Sequence, residues 1–281
     1  MLAILGGLGA ALAFATTTVC SSRSARMIGP PAVLSWVMIV GLVVTAPAAL
    51  AQGIPKDLHG GTLGWLALGG FGNVVGLLLT YAGLRTGKIG IVAPIISTEG
   101  AIAAVLSVAF GEHLAPGAGV LLGVIAVGIA LTAVSRVEPH MERDSARPIL
   151  LALGAAVAFG SSLYATGRVG ARLPVFWAVL PPRLVGVAVV ALPLAVASRL
   201  RLTRPALPLV VAGGLCEVAG YVSFTLGSRH GLAVSAVLAS QFAAISAVVA
   251  FLLFRERLLR VQVVGVVTIV AGVATLTALQ S

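Results

Sequence analysis

Three ionisable side chains lie inside long apolar stretches of the sequence. They are Glu99, Arg183 and Glu217. A charged side chain at the centre of a bilayer costs about 2.5–3.5 kcal/mol on insertion scales, so such residues usually face a cavity or a partner. A carboxylate in this setting can exchange a proton for a substrate or hold a cationic group. The alternative is that each acid is kept neutral, or is paired with Arg183, and only fixes helix packing.

Arg183 has two interpretations of its own. It follows Pro181 and Pro182, and proline lacks the N–H that a helix interior needs. If the prolines delay the start of the helix, the guanidinium lies near the membrane interface and reaches water. If they do not, Arg183 is an intramembrane group that can bind an anion.

Five weaker candidates for substrate binding accompany these residues. Tyr221 is one helical turn from Glu217 and lies on the same helix face. The others are two amides and two aromatic residues: Asn73, Gln241, Tyr81 and Trp177. Amides hydrogen-bond polar substrates, and aromatic rings form walls for a flat or cationic ligand. The alternative for the aromatic residues is the interfacial belt, where Trp and Tyr concentrate in membrane proteins.

A further group of residues is predicted to shape helices or to gate the site. Pro94 predicts a helix kink beside the cavity, because it removes a backbone hydrogen bond. The alternative is a kink with a purely structural role. Glu112 and Glu256 occupy equivalent helix ends with Arg and His neighbours. This favours ion pairs that help to latch one conformation, and Arg183 is the other candidate for a gating pair.

Catalysis has little support in the sequence. The four histidines are scattered in loops, no nucleophile lies beside a base, and no His or Cys spacing fits a metal. We therefore predict no cofactor and no metal, and the chain has no GxxxxGKS/T motif for ATP. Two other functions remain open: a membrane subunit or receptor that transports nothing, and an intramembrane enzyme acting on a lipid-linked substrate.

The elements that must position these side chains are membrane helices. Of 281 residues, 59% are hydrophobic and 9% are charged, whereas a soluble domain has about 25% charged residues. The chain must therefore be solvated mainly by a lipid bilayer. Its net charge of +10 comes from short segments between apolar runs and not from one basic face, which argues against a nucleic-acid partner.

The apolar runs predict an all-α integral membrane protein with ten transmembrane helices. A bilayer core needs about 20 apolar residues in a helix. Ten stretches of about this length occur, at residues 2–20, 33–51, 62–83, 89–110, 117–135, 149–167, 175–197, 207–227, 232–254 and 261–279.

The ten spans divide into two similar halves, at residues 1–135 and 149–281, joined by a polar linker at 136–148. A shift of 144 positions aligns residues that are rare or structurally special: Gly83 with Gly227, Arg85 with Arg229, Gly87 with Gly231 and Glu112 with Glu256. A shift of 145 aligns the segment 8–14 with 153–159. Because five is odd, the second half must enter the membrane in the opposite sense. Such inverted repeats are typical of secondary transporters, with a substrate site near the midplane.

The repeat also pairs candidate site residues. The shift of 144 places Asn73 at the position of Glu217, and Ser97, two residues before Glu99, at that of Gln241. We therefore expect these two sets to approach the midplane from opposite halves.

The repeated motifs also indicate a family. Gly83-Leu84-Arg85-Thr86-Gly87 leads into a helix with Pro94, and Gly111-Glu112-His113-Leu114 precedes a Gly-rich fifth helix. With the second copy, Leu226 to Gly272, the chain resembles the EamA family of the drug/metabolite transporter superfamily. The resemblance implies a fold of five plus five helices around a central cavity. It also implies movement of small metabolites such as amino acids, nucleosides or drugs. The Arg expected in each second helix occurs only as Arg183, with Trp36 near the equivalent place.

The sequence thus predicts a secondary transporter of a small metabolite that works by alternating access and couples to protons through intramembrane carboxylates. Basic residues concentrate in the linker and in the loops before even-numbered spans, which favours termini outside the cytoplasm. The family resemblance implies cytoplasmic termini instead. The short chain termini favour a bacterial inner membrane. The substrate, the direction of transport and the choice between monomer and homodimer stay open.

Overall fold

The structure is a computed structural model that describes residues 1–86, 92, 95–114, 116–132, 146–242, 244–245 and 260–280. Within these ranges the secondary structure is helical. The helices are α1 Leu2–Ile28, α2 Pro30–Ala51, α3 Gly60–Thr86, α4 Glu99–Ala109, α5 Ala118–Thr132, α6 Arg147–Gly170, α7 Val175–Gly186, α8 Leu192–Val196, α9 Leu207–Ser228, α10 Leu232–Ala239 and α11 Arg260–Gln280.

Six of these segments are long and apolar enough to cross a membrane: Leu2–Ile28, Pro30–Ala51, Gly60–Gly83, Arg147–Gly170, Val175–Val196 and Leu207–Ser228. They coincide with six of the predicted spans. Helices α4 and α5 are apolar but shorter in the described part of the chain. The all-helical membrane architecture is thus confirmed, whereas the count of ten spans stays a prediction.

Helix α1 runs farther than the sequence suggests. The predicted loop began at Ser21, but the helix continues to Ile28 and ends at Gly29, whose φ is +85°. Hydroxyl groups bonded to the preceding turn accompany the extension, since Ser24 Oγ donates to the carbonyl of Cys20 at 2.9 Å. The hydroxyls of this polar segment are thus bonded to carbonyls of the same helix.

Helix α7 corrects one interpretation of Arg183. The helix begins at Val175 and passes through Pro181 and Pro182 without a break. The prolines do not delay its start, and Arg183 is 1% exposed, so its guanidinium is enclosed by protein and does not reach solvent. A π-helical turn, Val187–Ala191, then joins α7 to α8. Such turns often accompany functional sites.

The largest helix contacts join the two halves. Helix α1 packs along α9, and α3 packs along α6 in the equivalent way. A Cβ placed on Gly76 would lie 2.6 Å from the ring of Phe159, and one on Gly220 would lie 2.5 Å from the ring of Phe14. The repeat relates Gly76 to Gly220 and Phe14 to Phe159, so these two contacts are equivalent in the two halves. The contact pattern therefore follows the register of the sequence repeat.

Helices α5 and α11 form a third pair with the same property. Gly128 lies against Ile269, and Gly272 lies against Ile125. The shift of 144 relates Gly128 to Gly272 and Ile125 to Ile269. Contacts of glycine with larger side chains let helix backbones approach closely in a membrane.

Candidate functional site

The candidate site is built around Arg183, on the buried side of α7. One of its terminal nitrogens, Nη2, lies 3.6 Å from Oε1 of Glu217 on α9. The other, Nη1, donates to the carbonyl of Val179 at 3.1 Å. The guanidinium carbon stands 4.5 Å from the centre of the Tyr221 ring. Glu217 and Tyr221 thus reach one cation from the same face of α9, as their spacing of four residues predicted.

The first half of the chain contributes Asn73 to this group. Its amide nitrogen on α3 donates to the hydroxyl of Tyr221. Its Oδ1 is buried and has no hydrogen-bond partner in the described part of the chain. The same holds for Nη2 of Arg183, whose one described polar contact is the ion pair with Glu217. Tyr81, two turns farther along α3, lies close enough to Glu217 to interact with it electrostatically. The two halves thus meet at Tyr221, and the approach of both residue sets to the membrane midplane stays a prediction.

Glu99 occupies a different part of the interior. It is the first residue of α4 and is only 9% exposed. Among the described residues, its carboxylate has neither an ion-pair partner nor a hydrogen-bond partner. It interacts electrostatically with Tyr221. A Cβ on Gly160 of α6 would come within 2.8 Å of the Glu99 carbonyl oxygen, so the second half packs closely on its backbone.

Gln241 flanks the same helix crossing. Gly100, next to Glu99, packs on Ala236 of α10 and on Ser240 just after this helix, and Gln241 follows Ser240 directly. The side chain of Gln241 is buried, and its Nε2 has no hydrogen-bond partner among the described residues. No described contact joins it to the Arg183 group.

Three other predicted residues lie elsewhere or outside the description. The indole N–H of Trp177 donates to the carbonyls of Ala49 and Gly53 at 3.0 and 2.9 Å, so this ring anchors the end of α2. The structure does not bring it to the Arg183 group. Pro94 and Glu256 lie outside the described residues.

The position equivalent to Arg183 in the first half is Met38. A Cβ on Gly41 would lie 3.0 Å from Cγ of Arg183, and a Cβ on Gly186 would lie 2.6 Å from Cγ of Met38. These contacts are related by a shift of 145, so the place equivalent to Arg183 is held by Met38, two residues after Trp36. Trp36 instead donates to the carbonyl of Arg201 at 3.0 Å. Met38 and Gly41 were missed, although the same shift identifies both.

Glu112 ties the two halves together at one end of the bundle. Its Oε2 accepts the N–H of Ala233 at 3.0 Å, and the hydroxyl of Ser107 donates to the same oxygen. The first half thereby caps the start of α10 in the second half. Burial raises the pKa of the Glu112 carboxyl, although the N–H groups of Ala233 and Leu232 act in the opposite direction. Among the described residues Glu112 thus acts as a helix cap, and the ion pair favoured from sequence stays a prediction.

Aromatic side chains pack at the same end of the bundle. The rings of Phe110 and Tyr164 stack with their centres 5.4 Å apart, and Trp65 meets both edge-on. Phe110 follows α4 in the first half, whereas Tyr164 belongs to α6 in the second. Tyr164, Trp65 and Tyr221 share one hydrophobic cluster. The aromatic stack therefore adjoins the Arg183 group through Tyr221.

Comparison with known proteins agrees with this architecture. The sequence pattern of the EamA-like transporter family matches residues 1–134 and again residues 146–278. The chain belongs to the EamA-like transporter family. This confirms the resemblance inferred from the repeated motifs and places the protein in the drug/metabolite transporter superfamily, whose EamA members are generally membrane transporters.

Solved structures show the same fold as this EamA-like chain. One, described only as "Crystal structure of protein", superposes with a TM-score of 0.80 at 20% sequence identity. The match covers 99% of this chain and 96% of the other. A search of curated sequences gives no match.

Proposed function

We propose that this chain is a secondary transporter that moves a small polar metabolite by alternating access, with Glu99 as the group that carries the coupled proton. The observation that carries the proposal is the set of polar groups enclosed between the two halves. Arg183, Glu217, Tyr221 and Asn73 form one connected group in which Asn73 Oδ1 and Arg183 Nη2 lack hydrogen-bond partners among the described residues. Buried polar groups normally have partners, and a bound substrate would supply them.

The unequal surroundings of the two acids support different roles. Glu217 is paired with a buried cation, which stabilises its charged form. In substrate binding, Glu217 holds Arg183 in place and contributes one negative charge to the Arg183 group. Glu99 has no cation within ion-pair distance in the described part of the chain. Such an acid can bind and release a proton without breaking an ion pair, so coupling belongs to Glu99.

Transport in proteoliposomes tests this proposal. The purified chain is supplied with labelled amino acids, nucleosides or organic cations at two pH values, with and without a pH gradient. We expect a substrate flux that the pH gradient drives in the wild type. In Glu99→Gln the gradient should drive no flux, whereas exchange of labelled for unlabelled substrate should persist, because exchange needs no net proton movement. In Glu217→Gln both activities should fall.

Asp57→Asn is the matched control, since Asp57 is an exposed carboxylate in the loop before α3. It should behave as the wild type. Flux that responds to the gradient equally in Glu99→Gln and the wild type would remove Glu99 from coupling. Absence of both flux and exchange across the panel, with folded protein, would contradict the transporter assignment.

A further inference from the structure

A cavity of about 150 Å³ opens at the end of the bundle, between the start of α3 and the end of α6. Its lining includes His59, Thr62 and Trp65 on one side and Arg168 and Arg172 on the other. The residues that line it include none of the Arg183 group, which consists of Arg183, Glu217, Tyr221 and Asn73. The cavity is therefore a separate place in the molecule.

The guanidinium of Arg168 is held in a fixed orientation beside the cavity. Its carbon lies 5.4 Å from the ring centre of Trp65 and 6.0 Å from that of Tyr164. Its Nη1 donates to the Tyr164 hydroxyl at 3.0 Å. A guanidinium has five N–H donors, so this bond leaves donors for a ligand. Stacking on aromatic rings limits the freedom that binding would otherwise remove.

The charge around the cavity is positive and unbalanced. In the described ranges, no carboxylate lies within ion-pair distance of Arg168 or Arg172. In the same ranges, neither guanidinium donates to a backbone carbonyl. The carbonyls of Gly170 and Leu173 instead accept from Arg229 at 2.7 and 3.0 Å. Two guanidinium groups with spare donors thus border one small cavity.

We infer that this cavity binds a single anionic group, a phosphate or a carboxylate, between Arg168 and Arg172. The planar fork of arginine matches the oxygens of both anions, and a cavity of about 150 Å³ has room for one such group. Two sources can deliver it: the headgroup of an anionic lipid, or a free anion in solution. The inference does not depend on transport, because binding can be measured without flux.

Fluorescence of Trp65 tests the site, because Arg168 lies on its ring. The signal is the difference between the wild type and Trp65→Phe, measured in nanodiscs. Inorganic phosphate is titrated into phosphatidylcholine discs, and discs containing phosphatidylglycerol are compared with phosphatidylcholine discs. We expect a saturable change in at least one arm. Arg168→Gln and Arg172→Gln should each lower the affinity for the anion about tenfold or more, as loss of a charge-assisted hydrogen bond predicts.

Lys56→Gln is the control, because it removes one positive charge from an exposed residue of the same end without touching the cavity. It should leave the change as in the wild type. A response to phosphate assigns the site to free anions, and a response confined to phosphatidylglycerol assigns it to lipid headgroups. The inference is overturned if neither arm responds, if both Arg variants respond like the wild type, or if Lys56→Gln weakens the response equally. Arg172 is exposed and makes no side-chain hydrogen bond among the described residues, so its variant stays informative if Arg168→Gln fails to fold.

Discussion

Arg183 and Glu217 neutralise each other inside the helix bundle, so the loss of one leaves the other charge without a counter-charge. Breaking a buried pair in this way costs about 3–5 kcal/mol. We expect Glu217→Gln to lower the free energy of unfolding by this order. Adding Arg183→Met should recover much of the loss, because methionine already fills the equivalent buried position at Met38. Thermal unfolding in detergent measures both effects.

Asp57→Asn removes an exposed carboxylate and serves as the control for this series, with a change within about 0.5 kcal/mol of zero. A Glu217→Gln variant as stable as the wild type would show that the pair does not stabilise the fold. A double variant less stable than Glu217→Gln alone would contradict the idea that methionine can replace Arg183.

Glu112 should make stability depend on pH. Because burial raises its pKa above the usual value of 4.5, the folded chain binds a proton more tightly than the unfolded chain does. The contribution of Glu112 to stability is therefore greatest at low pH and falls as pH rises through the two pKa values. We expect the wild type to gain stability on acidification relative to Glu112→Gln, which keeps an acceptor for the start of α10 but cannot titrate. Equal pH profiles of the two proteins in unfolding experiments would refute this.

At the residue scale, the sequence indicated which side chains are buried and polar better than it indicated which of them contact each other. Apolar surroundings identified Arg183, Glu217 and Glu99 as buried charges, and helical spacing placed Tyr221 beside Glu217. The choice of Glu217 over Glu99 as the partner of Arg183 depends on which helices pack together, and spacing within one helix does not contain that information. Trp177 illustrates the same limit, since its partners at the end of α2 are about 125 residues away.

The crossing of α3 and α6 depends on glycine at position 76. A methyl group there would press against the ring of Phe159, and a packed core yields little to extra atoms. We expect Gly76→Ala to destabilise the protein by about 1–3 kcal/mol. Gly64→Ala on the same helix should instead be neutral or stabilising by about 0.5–1 kcal/mol, because nothing lies within 4 Å of its Cβ position and alanine favours the helix.

Thermal unfolding of Gly76→Ala, Gly64→Ala and the double variant Gly76→Ala with Phe159→Leu measures these effects. The double variant should be more stable than Gly76→Ala, since the smaller side chain makes room for the methyl group. Equal effects at Gly76 and Gly64 would show that helix propensity, and not the contact with Phe159, decides the outcome.

At the element scale, hydropathy located six long helices well but misplaced their ends. The end of α1 was set too early because Ser21 and the polar residues after it suggested a loop, whereas hydroxyl bonds to the preceding turn accompany a helix that runs on to Gly29. The start of α7 was uncertain because two prolines weaken a helix locally. Tertiary packing outweighs that local cost in α7, and no local pattern reports such packing.

The whole molecule follows its sequence repeat, but the repeat does not determine which way the molecule faces. Loop charges favour termini outside the cytoplasm. We therefore expect alkaline phosphatase fused after Ser281 to be active, and green fluorescent protein fused at the same place not to fluoresce. Alkaline phosphatase, which is active outside, and green fluorescent protein, which fluoresces inside, give opposite signals. A fluorescent and phosphatase-inactive pair of fusions would establish cytoplasmic termini and show that the charge bias misleads.

Alternating access requires the two halves to separate at the end where Glu112 and the aromatic stack now join them. Phe110 and Tyr164 belong to different halves and lie with their ring centres 5.4 Å apart. We expect a short bifunctional thiol reagent that bridges Phe110→Cys and Tyr164→Cys to abolish transport, because the bridge prevents this end from opening. Cys20 and Cys216 are the two free cysteines, and serine replaces both in every variant.

Trp65→Cys with Phe110→Cys is the matched control. These rings are 6.5 Å apart, but both belong to the first half, so the same reagent should join them without preventing movement between halves. If the halves move against each other as bodies, only the first bridge stops substrate flux, and each single cysteine variant keeps its flux after treatment. Flux that survives a complete bridge between Phe110→Cys and Tyr164→Cys would exclude opening at this end. The substrate would then have to pass by a route that leaves the aromatic stack intact.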